Sequence, residues 1–167
     1  MVVNGVRAVV AGPSGTRVLD VSEVVTGPGQ TSLDDDEFIV EFEIDNMPAR
    51  SGDAYLRMIP RTEMDIAVVG AGARVTLADD GSIEQAALAL AAVAPTVIRI
   101  PDAEDALVGT TADDATLDAV AAAASEACDP IDDKRGTVAY RKQVAGVLAK
   151  RAVLIAIERA EQRNGTN

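Results

Sequence analysis

Arg61 and Asp65 are the charged side chains best placed to contact a ligand. They lie where an extended segment enters a long apolar hairpin. A charge at such a position needs a partner or a place at the mouth of a cleft, because an unpaired buried charge is costly. The sequence leaves two interpretations open: a local ion pair between the two residues, or contact with a bound ligand.

Neighbouring carboxylates occur in further places, among them residues 34–37, 79–80 and 132–133. Two carboxylates act as general acid and base only when their environments separate their pKa values. These groups lie in polar turns, where solvent screens both members, so solvated loops are favoured over catalysis. Residues 34–37 also lack the alternating ligand spacing of a calcium-binding loop. We assign no catalytic residue and no metal ligand to these groups.

Composition excludes several classes of function. The chain has no His and a single Cys, Cys128, so neither an intrachain disulfide nor a Ser-His or Cys-His pair can form, and a hydrolase is disfavoured. The net charge of −12, without a basic cluster interleaved with aromatic residues, argues against nucleic-acid binding. The N-terminus lacks a signal sequence and no apolar run is long enough to span a bilayer, so a cytoplasmic location is expected.

Three glycine clusters lack the features of a nucleotide-binding loop. Residues 12–16 have no Gly-Lys-Ser/Thr ending, and residues 27–29 have no helix behind them. Gly70-Ala71-Gly72 lies within a predicted strand and lacks the third glycine and the helix start of a dinucleotide fingerprint. We expect close packing of a helix on the sheet to explain Gly70 and Gly72.

The elements that position these residues centre on the hairpin at residues 61–95. Asp80-Gly81 joins its two strands and is typical of a tight primed turn, because Gly accepts a positive φ. The inner segments 67–72 and 88–93 are small and apolar throughout, so both of their faces should be covered.

Strands precede helices along the chain. Strands are predicted at residues 38–44 and 53–59, the first with Phe38, Val40, Phe42 and Ile44 on one face. Helices are predicted from Pro101, near residue 111, and over residues 137–162. The apolar stripe of the last helix is predicted as Tyr140, Val144, Val147, Leu148 and Ile155, with a basic outer face of Arg141, Lys142, Lys150, Arg159 and Arg163. The order predicts an α+β fold in which an antiparallel sheet of about three strands packs against a C-terminal helical bundle.

Several segments, in order along most of the chain, resemble one family. Residues 55–57, 61–69 and 92–96 are similar to the flavin-binding (medium) subunit of molybdenum hydroxylases, which include carbon monoxide dehydrogenases and xanthine dehydrogenases. Residues 129–136, 140–141 and 147–152 resemble the C-terminal signature of that family. Thr26-Gly27-Pro28-Gly29, with Thr31, Leu33 and Glu37, resembles the end of its preceding flavin domain.

The resemblance implies a role in electron transfer. In such oxidoreductases a molybdenum cofactor oxidises the substrate, iron–sulfur clusters relay electrons, and FAD delivers them to an acceptor. Residues 1–50 would be the tail of the FAD-binding domain and residues 51–167 the C-terminal domain. By position, Ile66 would contact the isoalloxazine, with Arg57 and Asp65 at the same edge. The implied partners are a molybdenum-cofactor subunit, an iron–sulfur subunit and, in a split subunit, an upstream flavin-domain half.

One departure from the family affects cofactor binding. The family holds the FAD diphosphate with glycine-rich loops upstream of the matched region, and no such loop occurs in this sequence. We therefore expect the chain alone to bind FAD weakly or not at all and not to be active by itself. If an upstream domain covers residues 38–44 or 6–11, the isolated chain should expose apolar surface. The alternative is a non-catalytic interaction module that keeps the fold without flavin and uses its Ala-rich helices as a partner surface.

Overall fold

The computed structural model describes residues 1–61 and 65–163. The chain divides into two compact units, residues 1–46 and residues 47–167. The boundary predicted from the sequence lay between residues 50 and 51.

The first unit is built on a three-stranded antiparallel sheet. Its elements are β1 (Arg7–Gly12), β2 (Gly15–Asp20), α1 (Val21–Val24), β3 (Val25–Gly27), β4 (Gln30–Thr31) and β5 (Phe38–Glu43), and the sheet order is β2-β1-β5. Val6, Ala8, Val10 and Val24 are its buried apolar residues. A bulge in the pairing of β1 with β5 breaks the predicted alternation of β5. Phe38, Val40, Phe42 and Ile44 are each 45% to 65% exposed.

A bidentate ion pair between Arg17 and Glu37 stabilises the loop before β5. Arg17 Nη2 lies 2.7 Å from Glu37 Oε2 and Arg17 Nε lies 2.8 Å from Oε1. The Glu37 carboxylate also accepts the Asp34 N–H at 2.9 Å. The Arg17 hydrogen bond, followed by that from Asp34, lowers the pKa of Glu37 to about 2.

Acid is expected to weaken this loop. Because the folded-state pKa of Glu37 is depressed, its contribution to stability is present above the unfolded value of about 4.3 and is lost as the pH falls towards 2. In Arg17→Met, the Glu37 pKa should rise from about 2 towards the unfolded value, as measured by NMR titration of the side-chain carboxyl. Arg74→Met changes the net charge equally and should leave the titration in place; an equal shift in both variants would contradict the pairing.

The second unit is a four-stranded antiparallel sheet with three helices. The strands are β6 (Ser51–Met58), β7 (Val69–Leu77), β8 (Ile83–Ala91) and β9 (Ile98–Arg99), in the order β6-β7-β8-β9. The helices are α2 (Pro101–Leu107), α3 (Asp114–Glu126) and α4 (Val138–Gln162). The predicted α+β class, with strands followed by helices, is confirmed.

Local sequence accounts for the turn and the helix ends. Between β7 and β8 the Ala78 N–H donates to the Ser82 carbonyl oxygen at 2.8 Å, which leaves a loop of the three residues 79–81, and of these only Gly81 has a positive φ, of 87°. The loop is therefore longer by one residue than the predicted primed turn. Asp113 and Thr137 cap α3 and α4 by accepting backbone N–H groups of the first turn, at 2.8 Å and 3.2 Å.

All three helices lie on one face of the four-stranded sheet. Helix α4 packs on β6 and β7, α2 packs on β8, and α3 packs on α2 and α4. The residues of β7 in this core are Val69, Ala71, Ala73, Val75 and Leu77. Within residues 1–61 and 65–163, no helix has both the length and the apolar character needed to cross a bilayer.

Helix α4 buries small residues that the predicted stripe missed, namely Ala145, Ala149, Ala152, Ala156 and Ala160. Of the predicted stripe, Leu148 is buried and Val144 and Ile155 pack against the core, whereas Tyr140 and Val147 are 39% and 43% exposed. The physical reason is the short distance between helix and sheet. A Cβ built at Gly52 would overlap the Ala156 carbonyl oxygen and lie 2.5 Å from the Ala160 nitrogen.

Candidate functional site

The sheet face opposite the helices has a floor almost without side chains. In register across the sheet, Gly70 lies between Arg57 and Ala91, and Gly72 lies between Tyr55 and Ala89. Alternation along each strand places these residues on the face turned away from the core residues of β7. This face, which we call the glycine face, is flat in the middle and has Tyr55 and Arg57 on β6.

Tyr55 lies over the middle of the glycine face. Its side chain is 62% exposed, and a Cβ built at Gly70 would lie 2.6 Å from its hydroxyl oxygen and 3.2 Å from its ring. The expectation that helix packing explains Gly70 is therefore wrong: this glycine makes room for an aromatic ring, and the helix contacts Gly52 instead.

Arg57 is an exposed cation beside this floor. It forms no ion pair with any other residue in the described ranges. Its guanidinium carries five N–H donors and no acceptor. The exposed Tyr55 ring with the Arg57 guanidinium beside it suits a planar conjugated ligand that carries carbonyl or anionic groups.

Asp65 belongs to an ion-pair cluster in the loop between β6 and β7. Its side chain is only 6% exposed, and its carboxylate lies 3.1 Å from Arg61 Nε and 3.1 Å from Arg135 Nε. Hydrogen bonds from Arg61 and then from Arg135 lower the pKa of Asp65. The structure thus has the local ion pair that the sequence left open, and adds Arg135, which sequence reasoning missed.

Ile66 is an exposed apolar residue whose backbone N–H is hydrogen-bonded. Its side chain is 64% exposed, and its N–H donates to Asp65 Oδ1 at 2.9 Å. The Asp65 carboxylate, anchored by Arg61 and Arg135, therefore fixes the peptide that carries Ile66. The neighbouring residues Thr62, Glu63 and Met64, part of the matched segment 61–69, lie outside the described residues.

Arg141 connects the loop between β6 and β7 to the rest of the sheet through hydrogen bonds. Its Nη1 donates to the carbonyl oxygens of Val68 at 2.7 Å and Ala92 at 3.3 Å, and its Nη2 donates to Asp133 Oδ1 at 2.7 Å. Hydrogen bonds from the Arg135 backbone and then from Arg141 lower the pKa of Asp133. One side chain thus joins the start of β7, the end of β8 and the turn at residues 133–136.

The prediction that Arg141 lies on the basic outer face of the last helix is wrong, because it is 4% exposed. A signal was available in the sequence. Arg141 precedes Ala145 by four residues and Ala149 by eight, so it is in phase with the buried alanines.

The three predicted ligand-contacting residues occupy two places. Arg57 lies near the end of β6 on the glycine face, while Asp65 and Ile66 lie in the loop that follows. No hydrogen bond or ion pair within the described part of the chain joins Arg57 to Asp65 or Ile66. Any ligand shared by all three residues would have to bridge the sheet face and this loop.

The second unit is an α+β domain in which α2, α3 and α4 lie on one side of the sheet and the glycine face lies on the other. A family model described as the CO dehydrogenase flavoprotein C-terminal domain matches residues 54–156. The chain belongs to this family, and the resemblance found in its sequence is confirmed.

Relatives and solved structures agree with this assignment. The carbon monoxide dehydrogenase medium chain of Afipia carboxidovorans is 32% identical over 152 residues, which are 91% of this chain and 51% of the relative. A xanthine dehydrogenase FAD-binding subunit of Escherichia coli is 29% identical over 149 residues, 89% of this chain and 51% of the relative. A carbon monoxide dehydrogenase from Hydrogenophaga pseudoflava that lacks the Mo-pyranopterin moiety has a chain with a TM-score of 0.89 and 31% identity, covering 95% of this chain and 54% of that one. The chain spans about half the length of the curated relatives it matches.

Proposed function

We propose that this chain is the C-terminal part of the FAD-binding electron-transfer subunit of a carbon monoxide dehydrogenase-like molybdenum hydroxylase, and that it closes one side of the FAD site. The observation that carries the proposal is the glycine face, where the exposed Tyr55 ring lies over Gly70 with Arg57 beside it, in a member of a flavoprotein family. Residues 1–50 are then the tail of the FAD-binding domain and residues 51–167 the C-terminal domain.

The described residues fit one wall of an isoalloxazine site. Tyr55, which covers Gly70, offers an exposed ring for a planar system, and Ile66 offers an exposed apolar side chain. Arg57 donates hydrogen bonds to an electron-rich edge of the ring. Asp65 positions Ile66 through its backbone N–H. When bound, FAD supplies the redox chemistry, and the protein supplies position and polarity.

The complete subunit requires other polypeptide for the rest of the cofactor. The sequence contributes no glycine-rich loop for the diphosphate, so the chain alone binds FAD weakly or not at all and is not active by itself. A molybdenum-cofactor subunit, an iron–sulfur subunit and an upstream flavin-domain half are the proposed partners, in the cytoplasm. The second candidate is the interaction module without flavin, which the exposed Val147 and Leu154 on α4 favour.

Titration with riboflavin and with FAD tests this proposal, because riboflavin carries the same ring without the diphosphate. If the chain supplies only a wall for the ring, both should bind with similar dissociation constants, on the order of 100 μM to 1 mM by fluorescence quenching. Arg57→Met should weaken both by about threefold to tenfold, the loss of about one hydrogen bond. Lys134→Met, an exposed cation in the loop before α4, is the matched control.

Two results would contradict the proposal. Tight stoichiometric FAD with weak riboflavin would mean that this chain holds the diphosphate, against the expected weak binding. Binding of neither compound, even with an upstream half supplied, would favour the interaction module.

A further inference from the structure

We infer that the groove between α3 and α4 is a docking site for an acidic, amphipathic helix of another subunit. The inference deepens the subunit-docking part of the proposed function and rests on it. It concerns a surface separate from the glycine face, since all three helices lie on the opposite side of the sheet.

The groove exists because two helices approach each other at backbone distance. A Cβ built at Gly146 would lie 2.7 Å from the Ala121 carbonyl oxygen. The resulting groove has a volume of about 590 Å³ and a mostly apolar lining, which includes Ala121, Ala122, Val147 and Leu154. Val147 and Leu154 are 43% and 44% exposed, so two large apolar side chains stand beside a floor of small residues.

The length of the groove fits a helix that lies along α4. Residues 143 to 154 of α4 line the groove, a length of about 16 Å at 1.5 Å per residue. Val147 and Leu154 are seven residues apart, two helical turns, so they present apolar contacts at the spacing of an amphipathic helix that lies along α4.

The charges at the groove select the partner. Residues 138–157 of α4 contain four basic residues, Arg141, Lys142, Lys150 and Arg151, and no Asp or Glu, although the chain as a whole has a net charge of −12. Arg141 is buried. Lys150 lies 2.9 Å from Asp118 of α3, so the charge of this lysine is balanced by that acid. Arg151 is exposed at the groove and forms no ion pair within the described ranges. Of the charged residues that line the groove, Asp118 and Lys150 balance each other, so the net charge is that of Arg151 and favours a partner with an acidic residue beside its apolar stripe.

A second copy of this chain is a poor occupant of the groove. Because Lys150 is paired with Asp118, two copies packed through this groove would bring the unbalanced Arg151 of both into one interface. Like charges across an interface suppress such a pairing. The same feature that attracts an acidic helix thus opposes self-association through this face.

A pair of labelled 18-residue helical peptides tests the inference against the full chain. Both carry the same Leu stripe, and their flanking positions are Glu in one and Lys in the other. By fluorescence anisotropy, the acidic peptide should bind with a dissociation constant of about 10 to 100 μM, and the basic peptide at least tenfold more weakly. Raising the salt from 50 to 500 mM should weaken the acidic peptide several-fold, because the rim charges are exposed.

Matched variants separate the groove from general effects. Val147→Ser and Leu154→Ser should weaken the acidic peptide about tenfold, whereas Val108→Ser, at a residue 49% exposed at the end of α2, should leave binding within twofold. Arg151→Glu should weaken it about fivefold, whereas Lys134→Glu, outside the groove, should not. Circular dichroism checks that each variant is folded.

Three outcomes would overturn the inference: equal affinity for both peptides, equal losses in the groove and control variants, or a dimer of the chain that Val147→Ser dissociates. Riboflavin binding should be unchanged in the groove variants. A failure confined to the peptides would therefore remove the docking site and leave the flavin proposal intact.

Discussion

Replacing Arg141 by Met is expected to lower the free energy of unfolding by about 3–5 kcal/mol, because a buried charged partner is removed from groups that depend on it. Arg141 is 4% exposed, and its guanidinium serves the carbonyl oxygens of Val68 and Ala92 as well as the Asp133 carboxylate. Met fills part of the volume but donates no hydrogen bond, so all three acceptors lose a partner, and the Val68 carbonyl loses it at a buried residue. Urea unfolding followed by circular dichroism at pH 7 measures the change.

Lys142→Met is the control for the Arg141 variant. Lys142 is the next residue of α4 and is partly exposed, so the same charge change there should alter the free energy of unfolding by no more than about 0.5 kcal/mol. Equal effects of the two substitutions would show that the Arg141 contacts contribute no more than a surface charge does.

Gly52→Ala is expected to be more damaging than adding a methyl group at Gly70 or Gly146, where the added Cβ would meet its nearest atom at 2.6 Å and 2.7 Å. The added Cβ would overlap the Ala156 carbonyl oxygen and lie 2.5 Å from the Ala160 nitrogen. Both are backbone atoms inside a helix, so no rotamer change relieves the overlap, and α4 must move away from β6. We expect a loss of about 3 kcal/mol or more, at the upper end for overpacked cores, measured as a drop in thermal unfolding temperature.

Gly81→Ala is the comparison for the Gly52 variant. A Cβ at Gly81 meets nothing within 4 Å, but the residue has a φ of 87°. Gly81→Ala should therefore lower the free energy of unfolding only through backbone strain, by about 1–2 kcal/mol. If Gly52→Ala unfolds at the same temperature as Gly81→Ala or above it, α4 does not pack on β6 at backbone distance.

The sequence could predict the elements of this fold, because local chemistry determines where they begin and end. Asp113 and Thr137 are ordinary N-cap residues, and the long apolar runs around Asp80-Gly81 indicate a hairpin whatever the length of its turn. The buried face of α4 was predicted only in part: Leu148 is buried as predicted, but the buried alanines were missed, because large apolar residues normally mark the core side of a helix. Here Gly52 of β6 lets the backbone of α4 approach the sheet closely, and this approach selects alanines in the helix.

The ion-pair cluster could be predicted only in part. Arg61 and Asp65 are four residues apart, and a local pair was one of two interpretations of the sequence. Arg135 is 70 residues from Asp65, and no periodicity links positions so distant before the fold is known. Arg57 and Ile66 were named through a family resemblance, and their contact with flavin stays a prediction. The position of Tyr55 over Gly70 depends on strand register, which the sequence alone did not fix.

Helix α4 is fixed on two sides, against β6 at Gly52 and against α3 at Gly146. A helix packed in this way cannot slide or rotate without breaking these close contacts, so its outer surface is already formed before a partner binds. Such preorganisation reduces the entropy lost when a complex forms. The association rate should then depend on orientation and long-range charge, and sequence changes in a partner helix should alter mainly the lifetime of the complex.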